Sequence, residues 1–451
     1  RLCFVAIFFR ATTWFTITEV VIIMDLEALR KEFEGCECGH KHDFDLEALE
    51  VAHGNLDRVA EILSAHNFPK KILMVADVNS FRVTKGLYEQ LLSAGYIVEL
   101  RVYDSMKVAD MREVEELERE LERVDGCLSV GTGSVNDICR LSSFRKDKQF
   151  AIFATAPSMD GFASDSAPIT HNNFKISYPC RQPRIIIADT RILAEAPTEL
   201  KAAGFGDVMA KYIAIADWRV AALLHGDYYC ERVASLVRRA LERMASLAAK
   251  VPAHDEEAAA AIMETLVLTG IAMQLAKCTR PASGTEHIIS HYWECKKLTH
   301  GVISDYHGKK VGVATLVVAD IYHKLGKLPK PVAHPEHIDW EDVKRHYGPE
   351  LTPDMMKFNE PNTIVDEIDP KLVTEKWDEI MKIIDEEIPS TERLRELFAL
   401  AHAATTPEQI AVDRDLFRDG IRYHIFMRRR VTIMRVLPMV DIDPLNVYEG
   451  K

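Results

Sequence analysis

The chain has 451 residues, 47% hydrophobic and 28% charged, enough for two or three domains with real cores. Its formal net charge of -13 argues against nucleic acid as the main partner, because phosphate-backbone binding needs a basic surface. Nine cysteines, odd in number and mostly isolated, exclude a disulfide framework and point to a reducing cytoplasm.

Residues 1–23 are apolar and aromatic, but Arg10, Thr12, Thr13, Thr16, Thr18 and Glu19 interrupt them. A membrane-spanning helix needs about 20 largely apolar residues, so no membrane anchor is expected here. A small-residue cleavage site is missing as well, so the stretch is a poor signal peptide. Met24 reads as the working start, with 1–23 as upstream translation, and an amphipathic helix begins there. Next comes Cys36-Glu-Cys38-Gly-His40-Lys-His42. No second Cys or His pair stands nearby in sequence to complete four zinc ligands, so a turn is expected.

From about residue 70 to 154, short apolar runs alternate with helical stretches. Residues 72–76 read as a buried strand ending at Asp77, 84–94 as a helix, and 97–102 as a second strand. Residues 111–124 form a charge-rich helix with a solvated face, 127–130 a third strand and 150–153 a fourth. Such alternation implies βαβ units and a parallel sheet. Residues 175–178 and 184–188 add strands separated by a turn at Pro179 and Pro183. Beyond Pro197 the texture is helical: 200–224, 231–250, 255–277, a helix carrying His287, 312–325 and 391–403, with 328–337 as a connector. The expected fold is an α/β amino-terminal Rossmann-like domain over 24–194 and an all-helical carboxy-terminal domain over 195–451.

Gly131-Thr132-Gly133-Ser134-Val135-Asn-Asp137 follows a strand and opens a helix. Glycines there permit close backbone approach, and a helix amino-terminus attracts phosphate. Ser134 and Asp137 are spaced as a cap. The third glycine of the dinucleotide fingerprint is missing, so the reading is either a nucleotide pyrophosphate loop or a plain tight turn. Asp77 is either a ribose acceptor or a strand-end turn residue. Thr155-Ala-Pro-Ser158-Met-Asp160-Gly-Phe-Ala-Ser164 follows the fourth strand and is either a ligand-binding edge or a surface loop.

Further on, Gly204-Phe-Gly-Asp207-Val-Met-Ala-Lys211 places a carboxylate in a Gly-framed, apolar context. In Arg280-Pro-Ala-Ser283-Gly-Thr-Glu286-His287-Ile-Ile-Ser-His291, Ser283 and Glu286 have capping-box spacing, and the two histidines share one helical face. With 17 histidines such a pair also arises by chance, but Asp207 beside it makes a sensible ligand set for a divalent metal. Arg428-Arg-Arg430 reads as a solvated or ion-paired helix face, with a phosphate contact left open.

Together these segments, from about residue 70 to 325, resemble the glycerol-1-phosphate dehydrogenases, within the dehydroquinate-synthase-like and iron-containing alcohol dehydrogenases. The resemblance is carried by Gly131–Asp137, Thr155–Ser164, Ala202–Asp207, Arg280–His291 and His307-Gly-Lys-Lys-Val-Gly312. It implies that Gly131, Thr132, Gly133, Ser134, Val135, Thr155, Ser158 and Ser164 meet a nicotinamide cofactor, NAD or NADP, with Asp77 at the adenosine ribose. It further implies Asp207, His287 and His307 as ligands of one divalent metal per subunit, nickel or zinc. Asp160 and His291 match substrate contacts, with Asp207 also beside the substrate, and Asp207 and His291 form the catalytic pair. A homodimer and a role in phospholipid metabolism follow from the same likeness. Lys309 and Lys310 stand where many relatives in the broader group have an acidic residue.

The expected reaction interconverts dihydroxyacetone phosphate and sn-glycerol 1-phosphate by hydride transfer, with His291 relaying a proton. The alternative is a dehydroquinate-synthase-like lyase or another polyol dehydrogenase on the same scaffold, since fold alone does not fix function. The base-poor loop 155–164 favours the dehydrogenase.

Overall fold

The computed structural model describes residues 24–451; the readings of residues 1–23 lie outside the described residues. The strands are β1 (Ala48–Ala52), β2 (Lys71–Asp77), β3 (Ile97–Tyr103), β4 (Gly126–Gly131), β5 (Gln149–Ala154), β6 (Ser166–His171), β7 (Phe174–Pro179) and β8 (Ile185–Asp189). Six of them form one sheet in the order β1-β8-β5-β4-β2-β3, with every pairing parallel. Continuous apolar runs suit strands covered on both faces, and Ile72 through Ala76 are all fully buried.

The chain order reverses direction across β2. It goes outward to β3 on one side and to β4, β5 and β8 on the other. Asp77 ends β2 and Gly131 ends β4, so both stand at the crevice that such a reversal opens at the carboxyl ends of the strands.

Three strands differ from expectation, and one of them, β6, was not anticipated because its Ser-Ala-Pro-Ile-Thr-His run carries a proline and little apolar alternation. β1 was not anticipated; its short Ala-Leu-Glu-Val-Ala run lies at the sheet edge beside β8. The 175–178 strand is not in the main sheet but pairs antiparallel with β6 in a separate ribbon. The charge-rich helix, Met111–Leu121, is amphipathic: Met111, Val114, Leu117 and Leu121 are buried while its acidic face pairs with Arg101 of β3.

After β8 the described chain is helical. The run expected at 200–224 divides at Ala210 into Thr198–Met209 and Lys211–His225. The helix expected at 312–325 begins five residues earlier, at His307. Gly206 and Gly308 bring the Asp207 helix (Thr198–Met209) and the His307 helix (His307–Leu325) into backbone contact. A Cβ on Gly206 would lie 2.7 Å from the Gly308 carbonyl oxygen, and one on Gly308 would enter the Ala203 carbonyl. Only a side chain no larger than hydrogen fits at either position. Glu256–Ala276, a 21-residue helix, is apolar and long enough to cross a membrane, yet 89% of its apolar window is buried inside the protein.

Candidate active site

A cleft of about 1140 Å³ runs along the carboxyl ends of β2, β4 and β5 and beneath the helical region. Its first section is built by the loop after β4. Gly133 takes a left-handed φ of +47°, turning the chain directly into the helix Gly133–Arg145. Thr132 is the residue at the cap, and no side chain bonds the helix end. Gly131, Thr132, Gly133 and Ser134 line the cleft, leaving the first-turn N–H groups for an anion. The expected Ser134–Asp137 cap does not form; Asp137 instead accepts from Arg140 Nη1 at 3.2 Å. Val135 is turned into the core, so only its backbone is near the loop.

The second loop lies against the first. Thr155 N donates to Gly131 O at 3.3 Å, and the Thr132 and Ser158 hydroxyls are 2.5 Å apart. Thr155, Ser158, Asp160 and Ser164 all line the cleft and are all buried, which excludes the surface-loop reading. Asp77 is on the wall too, and it also holds the local backbone. Its Oδ1 caps the helix Val78–Val83, accepting from Ser80 N at 2.7 Å.

His287 and His307 on the wall of the cleft and Asp207, buried just behind it, present one ligand atom each, all within 4.8 Å of one another. His287 Nε2 is 3.4 Å from Asp207 Oδ1, while its Nδ1 meets Glu286 Oε1 at 2.6 Å. One carboxylate and two imidazoles, with a carboxylate behind one ring, fit a divalent metal that keeps open positions toward the cleft. The capping-box expectation fails here. The His287 helix starts at Thr285, Ser283 turns to Arg430, and Glu286 Oε1 accepts from Gly284 N at 2.8 Å as well as from His287. Asp217 holds the start of this helix instead, accepting from Thr285 N at 2.8 Å.

Lys211, quoted in the motif but given no role from sequence, lies fully buried between the two acidic residues. Its Nζ is 2.6 Å from Asp160 Oδ2 and 3.0 Å from Asp207 Oδ1. Its spacing of four from Asp207 was the available signal. Against the cost of burial, Lys211, His287 and His307 hold Asp207 well below the usual carboxylate range. Burial pulls His287 down, but its bonds to Asp207 and Glu286 prevail and lift it to about 9. Burial drives His307 to about 3.

The His291 ring lies 6.3 Å from that of His287 and 5.8 Å from that of His307, so it shares their cavity. Burial, then the charges of Arg428, His307 and Lys175, hold it well below the ordinary imidazole value. The imidazole is therefore not the unperturbed one expected from sequence but a neutral ring in a positively biased pocket.

That bias comes from groups that sequence reasoning left unassigned. Glu294 bridges Lys175 at 2.8 Å and Lys310 at 2.7 Å. Despite burial, the two ammonium groups keep Glu294 well below the usual carboxylate range. Lys309 turns away to Glu199 and Asp305. Arg428 and Arg430 are not on a solvated helix face: both line the cleft, and only Arg429 is paired outward, with Glu367. Arg428 donates to Lys175 O at 2.7 Å. Lys175, Lys310 and Arg428 against Glu294 leave a surplus of positive charge at this end. Nothing local in the sequence brings β7, two helices and a carboxy-terminal coil to one place.

Known proteins resemble the chain in sequence and in fold. The profile of the iron-containing alcohol dehydrogenase family matches residues 50–197. A glycerol-1-phosphate dehydrogenase (NAD(P)+) of Geobacillus stearothermophilus is 31% identical over 415 residues, 89% of this chain and 95% of that protein. One from Geobacillus thermodenitrificans is 30% identical over 414 residues, again 89% and 95%. A probable glycerol dehydrogenase from Sinorhizobium meliloti 1021 superposes with a TM-score of 0.62 at 16% identity, covering 91% of this chain and 97% of that one, a likeness of fold.

Proposed function

The chain belongs to the glycerol-1-phosphate dehydrogenase family, among the iron-containing alcohol dehydrogenases, and from that membership we propose that it interconverts dihydroxyacetone phosphate and sn-glycerol 1-phosphate. It is an oxidoreductase, metal-dependent and NAD(P)-linked. The observation that carries the substrate reading is one cleft that holds a phosphate-type loop, an Asp–His–His ligand set and a basic end. Residues 24–194 act as the nucleotide domain and 195–451 as the metal and substrate domain.

Gly131 to Val135, Thr155, Ser158 and Ser164 hold the dinucleotide, with its pyrophosphate on the N–H groups that open the helix at Gly133. Asp77 meets the adenosine ribose with the oxygen not engaged by Ser80. Asp207, His287 and His307 hold one divalent ion, nickel or zinc. When bound, the metal supplies Lewis acidity toward the substrate oxygen and the nicotinamide supplies the hydride. Lys175, Lys310 and Arg428 receive the substrate phosphate, Arg428 through its guanidinium. Asp160 orients the hydroxyl end, itself held by Lys211. A substrate phosphate beside Lys175 and Arg428 offsets part of the positive charge that, after burial, depresses His291, and the ring nitrogen exchanges the hydroxyl proton. A homodimer in the cytoplasm completes the reading.

The lyase alternative gains one point, because the cleft is richer in base than loop 155–164. Yet Glu294 offsets one lysine and Arg430 already donates to Ser283 and Thr279, which favours a single phosphate over a larger polyanionic substrate. The deciding experiment is NADH oxidation by metal-loaded protein against phosphorylated and unphosphorylated ketones. Stoichiometric NADH loss with dihydroxyacetone phosphate is expected. Turnover without net NADH change, or equal rates on unphosphorylated ketones, overturns the proposal.

A further inference from the structure

We propose that Cys36, Cys38, His42 and Cys230 form a second metal site, closed to substrate, that holds a structural zinc ion and fastens the amino-terminal segment to the helical region. The first three come from one turn, and the fourth arrives from the residue just before the helix Glu231–Leu247, 194 positions after Cys36. This corrects the expectation that no fourth ligand is at hand.

The geometry is that of a four-ligand cage. The four ligand atoms all lie within 4.8 Å of one another. Cys36 Sγ and Cys230 Sγ are 3.7 Å apart, Cys230 Sγ and His42 Nε2 3.6 Å, and Cys38 Sγ and His42 Nε2 3.1 Å. A tetrahedral zinc, with Zn–S about 2.3 Å and Zn–N about 2.0–2.1 Å, separates its ligand atoms by roughly 3.5–3.8 Å. The sulfurs of Cys36 and Cys230 are too far apart to be bonded to each other.

The shell behind the ligands points the same way. His42 Nδ1 lies 2.7 Å from the Leu275 carbonyl oxygen and donates to it, which leaves the Nε2 lone pair facing the sulfurs. The Tyr228 hydroxyl stands 3.3 Å from Cys38 Sγ, and the Phe33 ring packs edge-on against His42 at 5.2 Å. Three thiols and one imidazole select a borderline-soft ion and fill all four positions, the signature of a structural site. The Asp207 set offers three ligands with open positions, so the two sites differ in kind. None of the four residues lines the catalytic cleft.

What the ion would hold is a stretch without regular structure, 34–47, between the helix Leu26–Phe33 and β1. Glu32 of that helix pairs with Arg239 of the helix that Cys230 precedes, so zinc would close a contact that ion pairs only begin.

The test is elemental analysis of full-length protein purified under reducing conditions, with cobalt replacement as a second readout. Two metal equivalents per chain are expected. A His287→Ala, His307→Ala double variant keeps one, and its cobalt form shows thiolate-to-cobalt charge-transfer absorption. Because that variant leaves every cysteine in place, the outcome does not depend on whether Cys38→Ser or Cys230→Ser folds. The three thiols should resist Ellman's reagent until a chelator is added and then all react. A metal-free double variant with freely reactive thiols, or a Cys36–Cys230 disulfide in the peptide map, overturns the proposal.

Discussion

His287 Nδ1 lies 2.6 Å from Oε1 of its chain neighbour Glu286, so the ring donates Nδ1–H to that carboxylate and turns Nε2, the atom a metal would take in place of a proton, toward Asp207. Partners of this kind typically set metal affinity by about 10- to 100-fold. Glu286→Gln keeps an acceptor for Gly284 N but lacks the charge behind the ring, and a loss of that size is expected by metal titration. His287→Ala or His307→Ala should remove the ion and nearly all activity with little change in far-ultraviolet circular dichroism. Full activity in a metal-free His307→Ala protein sinks the ligand assignment.

His291 is separable from that set. His291→Ala should retain bound metal while the turnover number falls, by roughly 100- to 10,000-fold if the ring moves the proton. His291→Gln keeps a hydrogen-bonding group without a titrating one. Rescue by Gln shows that the ring only positions substrate, whereas metal loss in either variant shows that it is a ligand.

Arg428 should discriminate phosphate. Loss of a charge-assisted hydrogen bond costs about 1.5–3 kcal/mol, so Arg428→Ala should lower kcat/KM for the phosphorylated ketone by roughly 10- to 150-fold. Dihydroxyacetone itself should be turned over as slowly as before. Equal losses on both substrates mean that the residue supports the fold through its bond to the Lys175 carbonyl.

Asp77 combines two roles, capping a helix and facing the ribose, that one substitution separates. Asp77→Asn retains an acceptor for Ser80 N and removes the charge that repels a 2′-phosphate. The ratio of NADPH to NADH efficiency should rise in Asp77→Asn. Asp77→Ala should add a loss of about 1 kcal/mol from the uncapped helix. An unchanged cofactor ratio in Asp77→Asn places the carboxylate away from the ribose.

Stability should carry a pH signature from Glu264. Burial lifts its carboxyl to about 7 against the opposing pull of Arg243. A folded value raised above the unfolded one gives stability that is full below the unfolded value and declines as pH rises through the folded one. Between about pH 4.5 and 7 this group should therefore cost on the order of 3 kcal/mol. Glu264→Gln should flatten that part of the melting-temperature profile, and an identical profile refutes the assignment.

The central strands and both cleft loops were legible in sequence because local rules govern them: apolar runs of strand length, and glycines between strand and helix. β1 escaped because an edge strand needs no continuous apolar run. The Ser283 cap failed because Asp217, 68 residues before Thr285, takes the helix start. Lys175, Glu294, Lys310 and Arg428 escaped for the same reason as Cys230, since only the folded chain brings them to a common point.

The contact of Gly206 with Gly308 has a consequence for the metal. Asp207 directly follows one glycine and His307 directly precedes the other, so the spacing of these two proposed ligands is tied to the main chain itself. Side chains elsewhere in the core can repack without altering the bite offered to the ion. A single methyl group at either crossing point would act as a spacer, widening the site as a whole. Gly206→Ala or Gly308→Ala should therefore alter metal affinity although neither residue would touch the ion.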